Sequence, residues 1–262
     1  MSGHSKWATI RRAKAVTDAK RGALFSRLSR DIIVAAQQGG GDPDMNFTLR
    51  LAVDRAKAAN MPADNIDRAI KKGSGQLQGD QISEVTYEGY GPGNVPMLID
   101  CQTDNTNRAL TEVRLIMERG GGKLSAGNSV SWQFAEKGQI IIQAAKYRDS
   151  GKFGKEGTYE PVDADEALLE IMEIPGVEDV QSSPEEESGN SVIEIVTVRD
   201  ELRAVHQQVE KLGYKIEQAD LAKFPNEQVN VANEDSQKLQ QLVEALEESE
   251  EVKSVWTAAR VD

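Results

Sequence analysis

Apolar residues recur at three- and four-residue spacing through residues 19–72, the period of a helix with one buried side. Residues 19–37 predict the first such helix. Leu24, Phe25, Leu28, Ile32 and Ala35 fall on one arc, while Lys20, Arg27 and Arg30 fall on another. The helix is therefore expected to bury one side and present positive charge on the other. Gly39, Gly40 and Gly41 end it. Asp42 is the expected cap of a second helix, with Pro43 at its first position and Met45, Leu49, Ala52, Val53 and Ala56 as the buried stripe. Asn60-Met61-Pro62 breaks the pattern. A third short helix follows, lined by Ile66, Ala69 and Ile70 and stopped at Gly73. Lys71 and Lys72 stand in its last turn, where cations suit the negative end of the helix dipole.

Residues 73–83, GSGQLQGDQIS, are polar and glycine-rich and predict a linker. The period then changes. Strands are expected over 96–103, 130–134, 139–143, 177–182, 191–198, 214–221, 228–231 and 252–256. Helices are expected from Asp104 or Asn105 to the glycines at 120–122, and over 165–174, 200–212 and 234–248. The order reads βαββαβ twice, the split βαβ pattern of an antiparallel sheet with two helices on one face. Two cuts of this string bury the same faces: two units in series, or one unit nested inside the other. Residues 146–163 predict a polar surface insertion, and the acidic runs PEEE (184–187) and EESEE (247–251) predict solvated charge.

Charge changes the picture more than composition does. The 262 residues, 39% hydrophobic and 28% charged, fit a soluble globular protein. A single cysteine, Cys101, precludes an internal disulfide and fits a reducing compartment. No apolar run approaches the roughly 18 residues of a membrane span, and no apolar core follows the early basic residues as in a signal peptide. A cytoplasmic protein without membrane attachment is expected. The formal net charge of −12 hides a division: the first thirty residues hold eight Lys or Arg and one acid, Asp18. One basic module on an acidic body points to a polyanionic partner.

Few motifs compete with that reading. YEGYGPG (87–93) is glycine-rich but lacks the order of a phosphate-binding loop, and a turn between strands explains it better. GGGK (120–123) reads as a helix end followed by a strand. The only histidines are His4 and His206, so no zinc site is expected. Cys101 lies in an apolar strand, where a buried thiol is inert. The paired acids Asp42/Asp44 and Asp163/Asp165 sit beside turns, as caps do. Without nucleophile, base and orienter together, no catalytic, metal or cofactor site is assigned, and the chain is not expected to be an enzyme.

The amino-terminal segment HSKWATIRRAKAVTDAKRG is the remaining candidate. Lys6, Arg11, Arg12, Lys14, Lys20 and Arg21, with Arg27 and Arg30 on the first helix and Lys71 and Lys72 on the third, are the expected nucleic-acid-binding residues. Arginine can grip phosphate with two hydrogen bonds. Trp7 could stack on a base or pack on the helices. A membrane surface also attracts cations, but the segment lacks the broad apolar face of an interfacial helix.

Four blocks, GHSKWATIRRAKAVTDAKRG, NMPADNIDRAIKKGSG, YEGYGPGNVPMLIDCQTDNTNR and GNSVSWQF, resemble the signatures of the YebC family, which includes the PmpR regulators and the mitochondrial translational activator of cytochrome oxidase. The resemblance implies an α+β chain of three domains: a helical one with the basic arm over 1–78, a ferredoxin-like domain over 79–137 and 223–262, and a second ferredoxin-like domain, 138–222, nested within it. By position, the six cations of residues 6–21 match the family's basic arm, and Lys71 and Lys72 its IKKG block. The resemblance implies either a DNA-binding transcriptional regulator or a ribosome-associated factor on ribosomal RNA that eases synthesis of proline-rich stretches. Against the first, no helix-turn-helix is evident; against the second, the strands lack the paired aromatics of an RNA-recognition motif. A protein-binding scaffold is the third expectation, in which loss of residues 1–30 leaves function intact.

Overall fold

Three helices begin the described part of the chain. The computed structural model describes residues 18–79, 81–150, 157–184 and 191–260, with the backbone alone of 18–21. Helix α1 (Asp18–Gly39) packs on α2 (Phe47–Ala58) and α3 (Ala63–Gly73). Their stripes meet in a core around Ile32 and Leu49, with Val53, Ala56, Met61, Ile66 and Ala69. Gly73 makes the α1–α3 approach possible: a Cβ there would collide with the Ile33 carbonyl oxygen and stand 2.7 Å from the Ala36 methyl.

The second helix starts later than Asp42 and Pro43 suggest. Residues 42–46 form a turn in which Asp42 Oδ1 accepts from the Asp44 N–H at 2.9 Å. Asn46 is the true cap. Its Oδ1 accepts from the Leu49 N–H (3.1 Å), and its amide donates to the carbonyls of Ala35 (2.8 Å) and Gly40 (2.9 Å). Met45 consequently lies before the helix and is exposed rather than part of the stripe.

The described residues divide into two compact units, one formed by 18–135 with 224–260 and the other by 136–223. In the first, β1 (Ser83–Gly91) and β2 (Val95–Thr103) form a hairpin with Val85 opposite Cys101. Helix α4 (Thr106–Arg119), capped by Asn105, leads to β3 (Lys123–Leu124). The chain later supplies β9 (Val229–Asn230), α7 (Asn233–Glu248), β10 (Val252–Thr257) and β11 (Ala259–Arg260). The antiparallel sheet runs β10-β2-β1-β3. Val113 and Met117 of α4, and Leu239, Leu242 and Leu246 of α7, cover one face. This is the split βαβ strand order with one permutation: β1, first in the chain, fills the third strand's place.

Strand β1 therefore corrects the expected order, and so does the stretch 130–134. Ser131–Gln133 is a single tight turn, and a strand begins only at Phe134. The reason is electrostatic. The Glu88 carboxylate takes the backbone N–H groups of Asn128, Val130 and Ser131, which a strand would have given to a neighbour.

The second unit holds most of β4 (Phe134–Arg148) and β8 (Tyr214–Pro225), with β5 (Thr158–Pro161), α5 (Ala164–Met172), β6 (Val177–Pro184), β7 (Ser191–Thr197) and α6 (Leu202–Lys211) between them. Strand β8 pairs with β4, β4 with β7 and β7 with β6, the order of a ferredoxin-like sheet. Ile140, Ile142, Ile193 and Ile195 form its core with Ile171 and Val205. The expected surface insertion at 146–163 is partly regular: β4 runs to Arg148, and β5 returns with Tyr159 opposite Tyr147. The chain is thus α+β, helices first and then two split-βαβ sheets, one interrupting the other.

Candidate nucleic-acid interface

The predicted site residues fall into four groups. Lys6, Trp7, Arg11, Arg12 and Lys14 lie outside the described residues. Lys20 and Arg21 stand on the first turns of α1. Arg27 and Arg30 follow on the same helix, and Lys71 and Lys72 close α3.

Arg27 and Arg30 correct the expectation of a solvent-facing cationic stripe. Helix α7 ends without a basic residue in its last turn, so its final carbonyls lack a local cap. Arg27 donates to the carbonyl oxygens of Glu247 and Ser249, the latter at 3.2 Å. Arg30 donates to the Glu250 carbonyl and lies 3.6 Å from its carboxylate. Arg27 thus caps α7, and the two guanidinium groups together bind α1 to the sheet domain. Gln102, reaching Asp31 at 3.1 Å, and Gln38, reaching Glu84 at 2.8 Å, extend the same contact.

The EESEE run is accordingly part packed joint and part solvated charge: Glu248 and Glu250 are exposed. Ser249 and Glu251 are buried. The Ser249 hydroxyl bonds Glu112 at 2.6 Å, and Arg108 Nε donates to Glu251 at 3.0 Å. Replacing Arg27 and Arg30 together with Ala is expected to lower stability by roughly 2 kcal/mol while leaving nucleic-acid affinity unchanged. Urea melts and filter binding on the same preparation check both halves.

On α3, Lys71 reaches Asp67 at 2.7 Å and remains half exposed. The Lys72 side chain runs beside Gly79. Arg68, which the sequence reading did not single out, is exposed one turn before them; its i, i+4 spacing to Lys72 was the available signal. The end of α3 that carries these cations packs on α1 well away from the first turn of that helix. Gly73 packs at Ile33, which lies roughly 18 Å along α1 from Arg21. Among the other described cations of this module, Arg50 pairs with Asp44 (3.3 Å) and Lys57 with Asp54 (3.9 Å).

Two further groups have defined protonation. Cys101 on β2 is buried, and burial first, then the negative charges of Asp100, Glu251 and Glu112, push its thiol up to about 12. It stays protonated and unreactive at neutral pH. Glu88 behaves oppositely. Burial would raise its carboxyl, but the N–H groups of Val130, Asn128 and Ser131 together with the Ser131 side chain hold it below the ordinary carboxylate range. It stays ionised as an internal anchor. His206 is half-buried on α6.

Comparison with known proteins places this arrangement. Residues 5–76 match the family model described as the TACO1/YebC protein N-terminal domain, and residues 82–259 the one described as the TACO1/YebC second and third domain. A relative from Enterococcus faecalis named "Probable transcriptional regulatory protein" is 43% identical over 259 residues, 99% of each chain. One of the same name from Pelotomaculum thermopropionicum is 43% identical over the whole of both chains. A crystal structure of a conserved hypothetical protein from Aquifex aeolicus superposes with a TM-score of 0.84 at 41% identity, covering 98% of this chain and 97% of that one.

Proposed function

Because the chain belongs to the TACO1/YebC family, we propose that it is a non-enzymatic regulator of gene expression that binds nucleic acid through its positively charged amino-terminal segment. The supporting observation is the placement of charge. Before Gly22 stand six Lys or Arg and one acid, on a chain whose net charge is −12. The next two cations, Arg27 and Arg30, hold α1 against the acidic end of α7. On this reading phosphate binding falls to Lys6, Arg11, Arg12, Lys14, Lys20 and Arg21, with exposed Arg68 and Lys71 and half-buried Lys72 as a separate group. If about six cations engage duplex DNA, log K falls with log salt at a slope of roughly −5.

The names of the relatives favour transcription as the process, and on that reading the target is DNA, in the cytoplasm. Crosslinking in cells, followed by sequencing of the attached nucleic acid, tests this. Enrichment at promoters supports it. Enrichment at one region of ribosomal RNA moves the protein to translation on the ribosome, and no enrichment overturns nucleic-acid binding and favours a scaffold. Reversing the charge of Arg11 and Arg12 to Glu is expected to weaken binding at least tenfold at moderate salt and flatten the salt dependence by about two units of slope. The melting temperature should not move. A loss of folding would make these residues structural.

A further inference from the structure

Trp132 is 72% exposed, the largest side chain among the described residues to be left so far in water. Its ring contributes little to a core, yet it is held firmly. The loop from Ser125 to Gln133 leaves β3 and lies over Glu88, whose carboxylate receives the N–H groups of Asn128 (2.7 Å), Val130 (2.6 Å) and Ser131 (3.0 Å). Val130 is fully buried beneath it. The Ser125 and Ser129 hydroxyls lie 2.5 Å apart, and Ser129 donates to the Ala126 carbonyl at 2.6 Å. The indole N–H of Trp132 donates to the Ser129 carbonyl at 3.1 Å. The carbonyl of Trp132 accepts from the Asn226 amide, also at 3.1 Å.

Backbone and indole edge are therefore both tied, and the polar edge of the ring is satisfied within the loop. What remains for a partner is a flat aromatic face. Ordering it has already been done by folding, which removes part of the entropic cost of binding. No side chain from Ser125 to Gln133 is charged, and the loop is rich in Ser and Asn. Such a setting suits a flat, uncharged ring with hydrogen-bonding edges. It does not resemble the centre of a protein interface, where the anchor sits among further large apolar groups: the other exposed residues of the loop, Ala126, Gly127 and Asn128 among them, are small or polar.

We propose that Trp132 is a stacking platform for one unpaired nucleobase. The proposal rests on the nucleic-acid reading above and adds a contact to bases, where the basic segment contacts phosphate. A single strand, or a distorted duplex with a base turned out, can use it; an intact duplex cannot.

The test uses the full-length protein and a labelled single-stranded twelve-nucleotide RNA of mixed sequence. A second oligonucleotide of the same length carries abasic sites throughout. Trp132→Ala is expected to weaken binding of the first about tenfold and to leave binding of the abasic strand and the salt slope unchanged. Trp132→Phe should retain most of the affinity. Equal binding of the normal strand by wild type and Trp132→Ala overturns the proposal and leaves the ring to a protein partner. A flattened salt slope in Trp132→Ala overturns it too. If the wild type binds neither strand nor duplex at any salt, the nucleic-acid reading itself falls. A thermal melt separates these results from misfolding.

Discussion

Glu88→Ala is expected to lower the free energy of unfolding by about 3 kcal/mol, because three backbone N–H groups lose a charged acceptor and the Val130 N–H is buried. Glu88→Gln, which keeps one carbonyl oxygen, should fall between. The effect depends on pH with a definite sign. The folded-state carboxyl lies below its ordinary value, so its stabilising contribution is present above that value and disappears as pH falls through the depressed one. Urea midpoints of wild type and Glu88→Gln should therefore be well separated at neutral pH and converge in acid. A gap that stayed constant with pH would mean that the side chain acts by packing alone. The same substitution releases the loop that holds Trp132, so base-dependent binding should weaken alongside stability.

Asn46→Ala is expected to cost about 2–3 kcal/mol, more than a simple cap. The side chain does three things at once: it caps α2 through Leu49 and satisfies the Ala35 and Gly40 carbonyls at the end of α1. Gly39 leaves room for it, since a Cβ there would stand 2.5 Å from the amide nitrogen. Asn46→Asp separates the roles. It keeps the cap but turns two donors into acceptors facing carbonyls, so it should be nearly as damaging as Ala. Denaturant titration of both variants, followed by far-ultraviolet circular dichroism, checks the order. Asp at wild-type stability would show that only the cap matters.

The helices were the most legible part of the chain. Leu24, Leu28, Ile32, Leu49, Val53 and Ile66 repeat at helical spacing, and all of them pack into one core or against it. The strand β1 was hidden for a physical reason. Glycines and acids interrupt its alternation, but the glycines are where neighbours come closest. A Cβ at Gly89 would stand 2.9 Å from the Met117 methyl, and one at Gly91 2.7 Å from the Met97 sulfur. Glu88 is a buried anion whose partners are amides forty residues away, which no local pattern announces.

The candidate interface was legible as a charge excess and not as a geometry. Helical periodicity separated Arg27 and Arg30 from the apolar arc correctly. It could not show what that second arc meets, because the carbonyls of α7 come more than two hundred residues later. Trp132 illustrates the opposite error. Between Val130 and Phe134 it reads as part of an alternating strand, and its exposure follows only from where the Glu88 carboxylate takes its hydrogen bonds.

The permuted sheet also has a consequence for the nascent chain. Strand β2 finds β1 within a hairpin, but Val252 of β10 arrives opposite Cys101 about 150 residues later. During synthesis the edge of Val95–Thr103, the most apolar strand of that sheet, stays open while residues 136–223 emerge. Early collapse of those residues shortens the loop that β10 must close and limits how long the sticky edge waits for its partner. Completing the host sheet therefore depends on the folding of the inserted unit, and a substitution that delays that unit is expected to appear first as aggregation through β2.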